Sequence, residues 1–173
     1  MFRKRRREIS LDQREKVEKN VKLYVDLLVK GYKKIGFIAI YWPLKNEVDI
    51  RSLKEKFSLA LPRCNDKKEL LFYPWDEHPL TKDSEGILSP NNSSLLNHKQ
   101  ISMIFVPCLS IDKNLIRLGY GGGYFDKLRG DMNWRNIPCI GVLTSNCVSS
   151  IPLTRAEWDI PLSGYITEKE IFV

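Results

Sequence analysis

Four short apolar runs limit what this chain can become. Ile35 to Tyr41, Leu70 to Tyr73, Ile101 to Val106 and Ile137 to Leu143 are each closed by Pro, Gly or polar residues, and Tyr165-Ile166 begins a further one. Their length favours buried strands over helices. The stretches between them carry helix signals. Ser10-Leu-Asp-Gln13 has the form of a capping box, Val17, Val21, Val25 and Leu28 recur at three to four residues with Tyr24 and Leu27 beside them, and Gly31 stands where a C-cap belongs. Asp49 stands at the N-cap of a second, short amphipathic helix through Ile50, Leu53 and Phe57. Strands alternating with helices predict an α/β fold: a single three-layer α/β/α domain with a mainly parallel sheet, spanning 1–173, with 1–9 as a basic amino-terminal arm. The longest irregular segment, Trp75 to Lys99, contains Asp76, Pro79, Gly86, Pro90 and Asn91-Asn92, and loops of that length are more often functional than idle.

Composition narrows the function. No stretch approaches the roughly 20 apolar residues that span a bilayer, and the basic start is followed by Ser10, Leu11 and Asp12 rather than by the apolar core of a signal peptide. The net charge is +7, and it is lopsided: residues 1–34 hold 12 Lys/Arg against 5 Asp/Glu, while the rest hold 16 of each. A neutral body weakens the case for a nucleic-acid surface. Cys64, Cys108, Cys139 and Cys147 form no CxxC pair and, with only His78 and His98 to help, read as small buried hydrophobes in a reducing cytoplasm.

The chemistry concentrates in Arg117-Leu-Gly-Tyr-Gly-Gly-Gly-Tyr-Phe-Asp126. Gly119, Gly121, Gly122 and Gly123 leave amides unshielded and permit positive φ, as a loop around phosphate oxygens requires, and a helix expected from Gly123 to Leu128 adds a favourable dipole. Tyr124 breaks the dinucleotide fingerprint, and no Gly-Lys-Ser/Thr follows as a P-loop needs. A glycine cluster alone is a tight turn about as often as a ligand loop. Here Arg117 offers a phosphate fork and Asp126 a carboxylate for magnesium, which favours a nucleotide.

This run resembles the signature of the 5-formyltetrahydrofolate cyclo-ligase (5,10-methenyltetrahydrofolate synthetase) family. Further matches follow in the family's order: Tyr41-Trp42-Pro43 through Glu47-Val48-Asp49, Leu61-Pro62-Arg63, Gly86-Ile87 with Pro90, Ile104 to Pro107 with Asp112, Ile140-Gly141-Val142, and Trp158 to Leu162. The resemblance covers nearly the whole chain from Ser10 onward. It implies ATP- and Mg2+-dependent cyclisation of 5-formyltetrahydrofolate to 5,10-methenyltetrahydrofolate, through attack of the formyl oxygen on the γ-phosphate and an iminophosphate intermediate. It implies that ATP is held by Arg117, Leu118, Gly119, Tyr120, Gly121, Gly122, Gly123, Tyr124 and Phe125, that Arg117, Tyr124 and Asp126 are catalytic, and that Asp126 and Asp159 bind the metal directly or through water. It places Trp42 and Glu47 at the folate; Trp75 joins them on position and chemistry alone. Taken without the resemblance, Glu47 reads as a solvated turn residue, Trp42 as a strand-end core aromatic and Asp159 as the cap of a turn before Pro161.

The arm departs from the family's pattern. Members carry a Lys and, four residues on, an Arg that reach the ATP phosphates, and counted back from Ser10 those positions precede Met1. Either the chain starts upstream of Met1, or Arg3, Lys4 and Arg5 to Arg7 take their place from a shifted position, Arg3 and Arg7 sharing a helix face, with a solvated basic arm as the plainer reading. Ser89 and Asn146 stand where Glu and Gln are usual, and Gly122 where some members have Lys. The expected partners are 5-formyltetrahydrofolate and ATP, bound by a monomer or weak homo-oligomer. A degenerate member that binds folate or nucleotide without turnover ranks second, and a nucleic-acid binder using the arm, salt-sensitive in its affinity, third.

Overall fold

The computed structural model describes residues 2–31, 35–91, 94–156 and 159–173, with backbone alone for residues 2 and 3. Helices α1 (Phe2–Arg7) and α2 (Leu11–Gly31) precede β1 (Phe37–Ala39), a 3-10 turn (Arg51–Glu55), β2 (Leu59–Cys64) and β3 (Leu70–Pro74). A small hairpin of β4 (Thr81–Lys82) and β5 (Leu88–Ser89) leads to β6 (Ile101–Pro107), β7 (Ser110–Asp112) and β8 (Arg117–Leu118). Then come α3 (Tyr124–Gly130), α4 (Met132–Arg135), β9 (Cys139–Val142), β10 (Val148–Ser149), β11 (Gly164–Ile166) and β12 (Ile171–Phe172).

The main sheet runs β12-β11-β9-β6-β1-β2-β3. Pairing is parallel from β2 through β1, β6 and β9 to β11, and antiparallel only where β3 and β12 close the two edges. Both faces are covered, which is why the strands read as continuous apolar runs. Along β6, Met103 and Phe105 enter the core beneath α2, while Ile104 and Val106 enter the core beneath α3 and α4. Ile101 shares a face with Ile104 because the pairing with β1 slips between Phe37 and Ile38, leaving Ser102 as the extra residue. Val17, Val21 and Val25 of α2 are fully buried on one side, and Leu128 and Trp134 pack on the other. The three-layer α/β arrangement is the one expected from the alternation of elements.

Three local features differ from expectation. β2 was hidden by Pro62 and Arg63, which interrupt its apolar pattern. It tolerates Pro62 because its pairing with β1 ends at Ala60, so that beyond this point only β3 is registered against it. The helix expected after Asp49 is a five-residue 3-10 turn, and Asp49 instead takes the Arg51 amide and guanidinium on its own side chain. The segment Trp75 to Lys99 holds the β4–β5 hairpin, fastened to β2 by Arg63 Nη1 donating to Thr81 Oγ1, Ser89 Oγ and the Pro90 carbonyl at 3.0–3.1 Å.

Candidate active site

The carboxyl ends of β1, β6 and β9 open on one edge of the sheet. From β1 the chain crosses to β2 on one side, while β6 and β9 lie on the other. A crevice at such a switch point is where open α/β sheets bind ligands. A small cavity lies there, lined by Arg6, Asn46, Glu47, Cys108, Thr144 and Cys147 among others.

Glu47 is set by the turn that follows β1. Asn46 takes a left-handed conformation, φ 68, which Asn adopts more readily than most residues, and the Glu47 amide donates to the Leu44 carbonyl. The Glu47 side chain is only 4% exposed. Its Oε2 accepts from the Leu44 amide at 2.7 Å, and its Oε1 accepts from Tyr120 Oη at 2.7 Å and from Arg6 Nη1 at 3.2 Å. Burial raises its pKa, opposed by the Leu44 amide and by Arg6. Glu47 is therefore no solvated turn residue.

The arm is ordered against this turn. Helix α1 directs Arg6 inward, where it also donates to the Lys45 carbonyl and lies 4.9 Å above the Tyr120 ring; Arg5 donates to the Asn146 carbonyl, and Ile9 is buried. Arg7 is exposed, and the side chain of Arg3 lies outside the described residues. Arg6 was not singled out by sequence, since nothing local distinguishes one Arg of Arg-Lys-Arg-Arg-Arg from the next.

Trp42 and Trp75 meet edge to face, centroids 5.9 Å apart, on the core beneath α2. Arg51 sits 4.4 Å over Trp42 and Lys54 4.6 Å over Trp75, cations three residues apart on a 3-10 turn whose side chains eclipse at that spacing.

The glycine loop follows β8. Gly121 and Gly123 have φ of 94 and 69, which side-chain-bearing residues rarely adopt, and Gly123 is the cap of α3, seven residues from Tyr124 to Gly130. Tyr124 Oη donates to Glu85 across the cleft, and this bond pushes its pKa up to about 12, so the phenol keeps its proton at neutral pH. Arg117 is paired with Asp126, Nη2 to Oδ1 at 3.2 Å, and stacks over Phe125 at 5.3 Å.

Asp126 and Asp159 line one cavity of about 10 Å³, together with Arg117, Phe125, Arg129 and Ile160. Arg129 was missed from sequence because buried arginines are rare. Its Nη1 donates to the carbonyls of Ile160 and Pro161 at 2.8 and 2.7 Å, which pins the Asp159 segment onto α3. Asp159 Oδ2 also accepts from the Ala156 amide at 2.7 Å, the turn-capping geometry expected of it without the resemblance; Trp158 lies outside the described residues.

The space is about that of one water. Two guanidinium groups share it, Asp126 is already paired, and among the described residues no group of three or more His, Cys, Asp or Glu gathers. A cation seated between the two carboxylates does not fit this cavity. The Asp126 side chain is 38% exposed, which suits contact with a magnesium ion that keeps most of its waters.

Known proteins share this architecture. A solution structure of Aquifex aeolicus 5,10-methenyltetrahydrofolate synthetase superposes with TM-score 0.76 at 28% identity, covering 98% of this chain and 87% of that one. The 5,10-methenyltetrahydrofolate synthetase of Mycoplasma pneumoniae, at 22% identity and TM-score 0.71 over 96% of this chain and 93% of its own, shares the fold. In sequence, the 5-formyltetrahydrofolate cyclo-ligase of Haemophilus influenzae is 28% identical over 172 residues, 93% of this chain and 90% of the relative. Residues 1–168 match the 5-formyltetrahydrofolate cyclo-ligase family, and the chain belongs to it.

Proposed function

We propose that this chain catalyses the ATP-dependent closure of 5-formyltetrahydrofolate to 5,10-methenyltetrahydrofolate, releasing ADP and phosphate. The observation that carries the reading is the bond between Glu47, an enclosed carboxylate suited to pterin N–H groups, and Tyr120 of the glycine loop, which supports a pterin site contiguous with a nucleotide site. A formamide oxygen is a weak nucleophile and, unmodified, a poor leaving group. Attack of that oxygen on the γ-phosphorus forms the C–O–P bridge and breaks the bond to ADP. The N10 lone pair then bonds to the same carbon, the carbon–oxygen bond breaks with its electrons on phosphate, and the N10 proton is lost.

Such a reaction asks the protein chiefly to align two substrates and to spread phosphoryl charge. In this reading Arg117 leaves Asp126 for the phosphates, and the loop amides from Gly119 to Phe125 cradle them. The Tyr124 phenol, kept protonated, donates rather than accepts. A magnesium ion bound with ATP would supply charge neutralisation at the phosphate oxygens. Asp126, once Arg117 has left it, and Asp159 are the carboxylates that would hold it through water. Glu47 fixes the pterin edge, and the Trp42–Trp75 pair offers an apolar wall beside it. Arg6, rather than Arg3 or Arg7, is the guanidinium of the arm at the junction of the two sites, paired with the carboxylate of Glu47.

Mixing the protein with 5-formyltetrahydrofolate, ATP and magnesium should develop the near-ultraviolet absorbance of the methenyl product, with one ADP per product. Absence of that signal at saturating substrate overturns the reading. Asp126→Ala should lower turnover on the order of 10–100-fold, as loss of outer-sphere metal partners does, whereas Cys64→Ala, which trims a buried thiol of the core, should change it little.

A further inference from the structure

Glu47 Oε1 is shared. A carboxylate has about four acceptor positions, two on each oxygen. Oε1 carries two donors, Tyr120 Oη and Arg6 Nη1, and Oε2 carries one, the Leu44 amide. A single position therefore stays open, on Oε2. A pterin edge that presents two parallel N–H groups needs one position on each oxygen, so one donor on Oε1 must leave.

The two donors are not equally free to go. Arg6 is held a second time by the Lys45 carbonyl, and its side chain is 14% exposed. Tyr120 is 37% exposed and is carried by the loop that contains Gly119, Gly121 and Gly122. Tyr120 is the one that moves. The nucleotide asks for the same movement from the opposite direction. In the free chain the loop is internally satisfied, Arg117 on Asp126 and Tyr120 on Glu47, and wrapping it around phosphates draws both side chains off their partners.

We propose that Tyr120 is a positioning residue that couples the two substrates: its hydrogen bond to Glu47 is broken once, by whichever ligand arrives first, and the second ligand binds more tightly because that bond is already gone. The inference rests on the reading of Glu47 as the pterin carboxylate. It requires positive and reciprocal coupling, since each ligand changes the other's affinity by the same factor. Arg6 stays on Glu47 and the Lys45 carbonyl when the ring leaves, and continues to neutralise Glu47.

Tyr120→Phe separates the bond from the packing, because the ring under Arg6 remains and only the O–H is removed. Binding of 5-formyltetrahydrofolate is measured by titration calorimetry with and without a non-hydrolysable ATP analogue and magnesium, in the full-length wild type and in the variant. The wild type should bind the folate about tenfold more tightly when the analogue is present, within the usual range of coupling between sites. Tyr120→Phe should bind the folate alone about as tightly as the analogue-bound wild type does, and the analogue should then add little. A purely structural role for Tyr120 would shift the melting temperature and weaken both ligands. A variant that binds folate no better than wild type, or keeps the wild-type coupling factor, overturns the proposal, and product formation by the wild type then still supports the cyclo-ligase reading. A wild type that neither binds folate nor forms product removes that reading and this inference together.

Discussion

A carboxylate enclosed as Glu47 is holds its proton to higher pH than a free one. Burial is the largest cause, and the Leu44 amide and Arg6 offset it only in part. The folded-state pKa is raised above 4.5, so the native chain binds a proton more tightly than the unfolded chain. The contribution to stability is fully present below the unfolded value and is lost as pH rises through the folded one. Glu47→Gln should flatten the dependence of melting temperature on pH in the window just above 4.5; an unchanged slope would show that other groups set it. The cysteines make a second case at this scale. Cys64 and Cys108 are buried, and burial pushes both thiols up to about 12; Cys139 is pushed to about 11 by the same cause. A thiol reagent at pH 8 should label none of the four cysteines in the native protein and all of them after unfolding. Their character as small buried hydrophobes was legible from the missing CxxC pairs and the apolar runs around two of them. The site was legible unevenly. Arg117, Asp126 and the glycines stood out by local chemistry, whereas Glu47 stood out only by resemblance, because its burial arises from Arg6 and Tyr120, 41 and 73 residues away in sequence. Arg6 could be named only as one of a basic run, and Arg129 escaped notice, because an arginine drawn inward is defined by the carbonyls and carboxylates that fold onto it, not by its neighbours in the chain.

The elements follow their signals where those signals are local. Ser10 Oγ accepts from the Gln13 amide at 3.2 Å, and the Ser10 amide donates to Gln13 Oε1 at 3.2 Å, the reciprocal pair implied by Ser-x-x-Gln. Ser10→Ala should destabilise the protein by about 1 kcal/mol, the usual worth of an N-cap, measurable by urea unfolding with an unchanged slope. A larger loss would mean that Ser10 also holds the arm that ends at Ile9. Strands closed by Pro or Gly were equally readable, since a continuous apolar run has few other uses in a chain of this length. Where the pattern failed, tertiary pairing had overridden it. β2 forms through Pro62 because β3 alone accompanies it there, and the stretch after Asp49 becomes a single 3-10 turn because the crossover from β1 must first supply the Glu47 turn and then drop Leu53 into the core. The short helix after Gly123 was foreseen, and it continues two residues past Leu128 to Gly130.

At the scale of the whole molecule, the sheet does not divide. β6 sends Phe105 into the core beneath α2 and Val106 into the core beneath α3, so neither layer can be removed without exposing the back of the other. The functional edge depends on the same strands: Glu47 follows β1, Cys108 follows β6 and Thr144 follows β9. One cooperative unit is the physical consequence, and fluorescence can test it, because Trp42 and Trp75 report on the α2 side and Trp134 on the other. Unfolding curves from far-ultraviolet circular dichroism and from tryptophan emission should coincide, in the wild type and equally in a Trp134→Phe/Trp158→Phe double variant, where only Trp42 and Trp75 are left to emit. Phe105 is wholly buried, and Phe105→Ala should cost roughly 3–5 kcal/mol by leaving a cavity in the middle of the sheet, a large share of the 5–15 kcal/mol typical of a domain. Its effect should appear in both signals at one shifted midpoint. If instead the α2-side emission changed before the circular dichroism, the helix layer would be a separable unit, and the alternation along β6 would not be what binds the layers together.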